Sequence, residues 1–178
     1  MRLELTILFL LAALASLAGC QKTEPAATVP PPPMEVNEPL HLNRAQTGLP
    51  VMKLWVGAEE LTAEVCLTAQ QMATGMMFRT NLAENAAMLF PFATPQRASF
   101  YMRNTTVPLS AAYLDAEGAI LEIRQLKPLD ETPAEAATDQ VQYVLEVNQG
   151  WFARHNVTTG AVVRTPSGSL RQHFFRQR

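Results

Sequence analysis

The sequence predicts an all-β domain with minor helices, folded as a jelly-roll-like β-sandwich or a closed barrel. From Val51 onward, short runs of β-branched, aromatic and leucine residues recur between turn signals, the pattern of many short strands. The best of these runs alternates Val141, Tyr143, Leu145 and Val147 against Gln142, Val144 and Glu146. A two-residue period places successive side chains on opposite faces of a strand. Many strands at this spacing pack as a sandwich or close as a barrel. With 178 residues, 48% of them hydrophobic, the chain suits one globular domain plus extensions.

The elements follow in order. Residues 51–56 and 61–67 flank Gly57-Ala58-Glu59-Glu60 and predict a hairpin. Residues 68–76 predict a short helix, opened by Thr68 as N-cap and ended near Gly75. Residues 88–92 and 99–103 form an expected strand pair joined through Pro95. Residues 109–115 and 119–125 flank Ala116-Glu117-Gly118 and predict a second hairpin. The acidic stretch 128–140, rich in Ala and Pro, reads as a long surface loop, a place where function sometimes sits. A strand at 141–147, a helix at 149–155 carrying Trp151 and Phe152, and a late strand at 160–164 complete the domain, expected at 49–165. The basic tail, 166–178, holds Arg171, Arg176, Arg178, His173, Phe174 and Phe175 and reads as a solvated end, with an edge strand at 170–175 or a contact with anionic envelope polymer as the alternatives.

What precedes the domain has a different character. Met1-Arg2 is followed by an almost unbroken apolar run from Leu5 to Leu17, too short for a span of about 20 residues but suited to a signal-peptide core. Leu17-Ala18-Gly19-Cys20 then resembles the bacterial lipobox. It implies a signal peptide at 1–19, cleavage between Gly19 and Cys20, and diacylglycerylation of the Cys20 sulfur with acylation of its new amino group. Several acyl chains make a stable anchor where one is marginal. Residues 20–48, with Pro30 to Pro33 in a row, read as a semi-rigid polyproline tether. The expected location is the cell envelope, membrane-anchored outside the cytoplasm. Gln21 rather than Asp after Cys20 favours an outer membrane facing the periplasm in a Gram-negative organism.

Several blocks within the domain then resemble a known family. Gly75-Met76-Met77-Phe78-Arg79, Met88-Leu89-Phe90, Phe100-Tyr101-Met102-Arg103-Asn104-Thr105 with Pro108-Leu109, and Tyr143-Val144-Leu145-Glu146 with Gly150 and Gly160 occur in order. Together they are similar to domain of unknown function family 192, over roughly Met52 to Val163. The resemblance implies a compact, often exported jelly-roll-like fold and no activity. Tyr101 stands where the family usually has Trp, Ser110 where it usually has Asp, and Ala87 where it usually has Gly.

Composition narrows the chemistry. A net charge of −2 argues against nucleic acid as a partner. Of the two cysteines, a lipidated Cys20 would leave Cys66 without a partner in the chain; a lone thiol in a strand context reads as a small core residue. His41, His155 and His173 are scattered, so no metal site and no cofactor are expected. No Gly-x-Ser-x-Gly elbow or Gly-rich phosphate loop is present. The dense methionines Met72, Met76, Met77, Met88 and Met102 read as core packing, against an adaptable apolar groove or a thioether copper site that lacks histidine.

Four polar residues in apolar surroundings, Arg79, Asn104, Thr105 and Glu146, form the candidate polar pocket. A buried charge is costly unless paired, so Arg79 and Glu146 are expected to meet, and Asn104 to cap the loop before Pro108. Three functions remain open: a lipid-anchored module binding a small ligand, glycan or protein partner; an envelope hydrolase using Glu146 with Arg79; or a structural or assembly part. A glutamate in an accessible cleft would favour the enzyme and a concave site with convergent polar groups the binder. An Arg79–Glu146 pair sealed from solvent would favour the structural role.

Overall fold

The structure is a computed structural model and describes residues 39–175. The expected signal peptide, Cys20 and the proline run lie outside the described residues. The elements are β1 (Val51–Val56), β2 (Glu59–Val65), α1 (Ala69–Thr74), β3 (Ala86–Gln96), β4 (Ser99–Phe100), β5 (Leu109–Leu114) and β6 (Ile120–Leu126). They continue with β7 (Ala134–Glu135), β8 (Val141–Asn148), α2 (Trp151–Arg154), β9 (Val163–Thr165), β10 (Gly168–Ser169) and α3 (Leu170–Phe174). Eight strands make one sheet in the order β10-β9-β1-β2-β3-β8-β5-β6, and β4 pairs with β7 in a separate ribbon.

The fold is thus all-β with minor helices, and the large sheet curls without closing. Its far ends meet at one corner: Ala119 bridges Val162, and Val163 N–H donates to the Gly118 carbonyl at 2.8 Å. Gly118 permits this approach, because its φ is +86° and a Cβ there would lie 2.7 Å from the Val163 oxygen. No continuous ladder joins β6 to β9, so of the two expected forms, sandwich or closed barrel, the barrel does not close and the sheet stays open though nearly wrapped.

The curl explains why the central strands are buried on both faces. Ala87, Leu89, Ala112, Leu114, Tyr143, Leu145 and Val147 point into one core, which also holds Trp151 and Phe152. The alternate residues Met88, Phe90, Leu109, Ala111, Tyr113 and Val144 point into a second. That second core is covered by α1, the turn after it, the segment around Met102 and the small β4–β7 ribbon, whose Phe100 packs edge-on against Phe90 and Tyr113. Two-residue periodicity therefore sorts these side chains between two apolar layers.

Local chemistry sets the element ends. Thr68 and Gln71 form a capping box on α1, with the Gln71 amide donating to the Thr68 hydroxyl and Gln71 accepting from the Thr68 amide. The β1–β2 and β5–β6 hairpins form as the turn residues predict. The expected pairing of 88–92 with 99–103 does not occur. β3 instead lies between β2, parallel, and β8, antiparallel, while β4 takes only β7 as its partner. Residues 128–140 supply that partner, so part of the expected loop is strand.

The packed unit is also larger than residues 49–165. Gln46 is buried, and the Leu42 amide donates to the Thr74 hydroxyl at 3.0 Å. At the other end Leu170 is buried, and Phe174 and Phe175 pack on the first core, tilted against Tyr143. Residues 170–174 form a helix with a Ser169–Gln172 capping box, not an edge strand.

Candidate functional site

Glu146 is the chemical oddity of the domain. It sits in β8 with Met88 of β3 on one side and Ala111 of β5 on the other, and so faces the second core. Its side chain lines a cavity of about 80 Å³. Met76, Met77, Met102, Phe90, Phe100 and Thr105 supply much of the remaining wall. Tyr101, 41% exposed, stands where the cavity meets solvent. Space beside Glu146 follows from its row, since Ala111 is too short to cover the carboxyl.

Two loops roof the cavity and are tied together. Phe78 and Asn104 both adopt left-handed backbone, at φ 62° and 54°, and the Phe78 amide donates to the Asn104 carbonyl at 2.7 Å. A bulky residue in that region costs about 1–2 kcal/mol. Gln46 fixes the neighbouring turn by donating to the carbonyls of Gly75, at 2.8 Å, and Gln71, at 3.1 Å. The roof is built rather than collapsed, and it holds space open over a carboxyl.

The electrostatics are those of a carboxyl largely withdrawn from water, with its small remaining accessible surface on the cavity. Glu146 is only 4% exposed, and among the described residues its carboxyl has neither a hydrogen-bond donor nor a cation. Burial alone pushes its pKa up to about 8. It is therefore largely protonated at neutral pH and can either donate or accept. Cys66, buried nearby, is pushed up to about 12 by burial first and by the Glu146 charge second, so it stays a thiol. Burial first, then Glu146, also raises Tyr113, whose hydroxyl donates to the Ala134 carbonyl at 2.6 Å.

The structure divides the four residues singled out in the sequence. Glu146 and Thr105 share the cavity; Arg79 and Asn104 do not line it. Arg79 pairs with Glu64, not with Glu146. Glu64 and Glu146 both flank Met88 in one cross-strand row, and Arg79 reaches only the nearer. That arrangement removes both the sealed Arg79–Glu146 pair and the hydrolase pairing expected from sequence. Asn104 serves through its backbone, as a left-handed turn residue accepting from Phe78, rather than as a side-chain cap.

Ser110 is also structural here. Its hydroxyl donates to Gln125 Oε1 and accepts the Gly150 amide at the start of α2, both at 2.8 Å. Sequence reasoning missed Gln46, which looked like tether. The methionine density was the visible signal for the cavity wall. Among the described residues no group of three or more His, Cys, Asp or Glu converges on a point.

A β domain with one buried, unpartnered carboxyl under a methionine-rich roof is the class defined so far. The sequence matches domain of unknown function family 192, described as an uncharacterized ACR, over residues 52–165. The chain belongs to that family. Among solved structures it is similar to a protein of unknown function from Novosphingobium aromaticivorans DSM 12444. That likeness has 32% identity and a TM-score of 0.62, and covers 66% of this chain and 87% of that one. It is also similar to a Sinorhizobium meliloti 1021 protein described as a "putative transcription regulator", with 26% identity and a TM-score of 0.63, covering 68% of this chain and 98% of that one. No curated protein matches.

Proposed function

We propose that this protein is an exported lipoprotein, anchored through acylated Cys20, whose domain binds a small ligand in the Glu146 cavity. One observation carries the binding reading: a buried carboxyl without a partner faces an apolar cavity under a strained roof. Burying an ionisable group unpaired costs stability, and such groups cluster where a ligand completes them. The small volume favours a ligand of a few heavy atoms. A cavity of about 150 Å³ accommodates benzene, and this one is about 80 Å³. The anchor reading rests on the apolar run 5–17 and Leu17-Ala18-Gly19-Cys20. Among the described residues no helix is long and apolar enough to cross a membrane.

The binding test is a thermal-shift screen of the full chain in detergent with compact amides, alcohols and amines. A ligand at about 100 times its Kd should add roughly 2.7 kcal/mol of stability. At least one probe should raise the melting temperature of the protein and fail to raise that of Glu146→Leu. Equal shifts in both proteins would overturn the reading, and no shift in either would overturn a small organic ligand. Loss of palmitate incorporation in Cys20→Ala tests the anchor separately; undiminished incorporation would refute it.

A further inference from the structure

Four of the chain's eight methionines line this one cavity. Met72 lies in α1 and Met76 four residues further along the chain, with Met77 beside it; Met102 comes from the opposite loop. Met76, Met77 and Met102 are buried, whereas Met72 is half-buried. Their thioethers are soft, polarizable donors. Among the described residues Glu146 is the only acidic one on the wall, and no His or Cys joins it. The sequence argued against copper because no histidine lies near these methionines. The fold supplies an anionic group instead, from a strand far away in sequence.

We propose that the cavity is a site for a soft monovalent cation of the copper(I) type, held by methionine thioethers and neutralised by the Glu146 carboxylate. The inference rests on the binding reading above and names its ligand. Thioether donors select copper(I) over magnesium, calcium or manganese, which need several oxygens. One carboxylate balances one positive charge, so the filled site carries no net buried charge. A single ion also suits a cavity of about 80 Å³ better than a large organic molecule does.

The test titrates copper(I) anaerobically into the full chain in detergent, against the chromophoric chelator bicinchoninate. Variants are Met76→Leu/Met102→Leu, which nearly conserves volume, Glu146→Gln, and Cys66→Ser as the control for the nearby thiol. Melting curves of each variant establish that it folds. The protein should withdraw one equivalent of copper(I). Affinity should fall by at least about tenfold in the methionine double variant and in Glu146→Gln, and stay unchanged in Cys66→Ser. No withdrawal of copper, equal affinity in the double variant, or loss confined to Cys66→Ser would each overturn the inference. If copper fails while small organic probes still stabilise the protein through Glu146, the ligand class is wrong and the cavity reading survives. If both fail, both fall.

Discussion

Replacing Glu146 by Gln should change how stability depends on pH more than it changes stability itself. In the unfolded chain the carboxyl loses its proton near 4.5, whereas in the folded protein it keeps it until about 8. Between those values the folded state binds more protons, so stability is full below 4.5 and falls as pH rises toward 8. Each pH unit in the interval removes about 1.4 kcal/mol, roughly 5 kcal/mol across it. For a domain of this size that lowers the melting temperature by on the order of 15 °C. Other groups with a resolved displacement titrate outside the window: Glu84 and Asp130 are displaced below the usual carboxylate range, and Cys66 far above it. Gln matches the protonated acid in shape and cannot ionise. Melting curves by circular dichroism at pH 5, 6, 7 and 8 should therefore slope downward for the wild type and stay flatter for Glu146→Gln. The two proteins should lie close together at pH 5 and separate at pH 8, with the variant the more stable. Parallel curves would refute the argument, because they would mean that the carboxyl is solvated or paired.

Three further outcomes follow from particular contacts. Glu64→Gln removes the partner of the largely buried Arg79, whose Nε is already without an acceptor; urea denaturation should show a loss of about 1–3 kcal/mol, and Glu64→Leu/Arg79→Met should recover much of it. Ser110→Ala leaves the Gly150 amide without its acceptor, while the exposed Gln125 turns to water; the loss should be about 1 kcal/mol in the same assay. Cys66 should resist iodoacetamide at pH 8 in the native protein and react after unfolding, as read by peptide mass mapping; rapid native labelling would contradict its burial.

The fold was legible where local rules decide it. The turns at Gly57-Ala58 and Ala116-Glu117-Gly118 define two hairpins, and Thr68 with Gln71 defines the start of α1. What escaped is long-range pairing. Nothing near β3 announces that it lies parallel to β2 and beside β8, because both of its faces are apolar and its sequence neighbours are not its partners. The two-residue period of β8 reads like one wet face, yet that face is covered by α1, its following turn and the β4–β7 ribbon.

The candidate site was half legible for the same reason. Glu146 stood out as a charge in an apolar strand, and the methionines stood out by density. Their meeting depends on α1 and the Met102 loop folding over β8, which no spacing encodes. Arg79 looked like the natural partner of Glu146. Glu64 occupies the same cross-strand row, with Met88 between the two glutamates, and takes the guanidinium. Gln46 was hidden in a stretch resembling a tether, though its amide anchors the turn above the cavity.

The most direct test of the central claim, that the Glu146 cavity is where this protein meets its ligand, is methyl-¹³C-methionine NMR of the full chain. The methionines give a reporter set, with Met72, Met76, Met77 and Met102 on the cavity wall and Met52 on the other core as an internal control. Small organic probes and copper(I) would be titrated separately. A bound ligand should move the four wall methyls and leave Met52 in place. Shifts centred on Met52, or four wall methyls that respond to nothing, would contradict it.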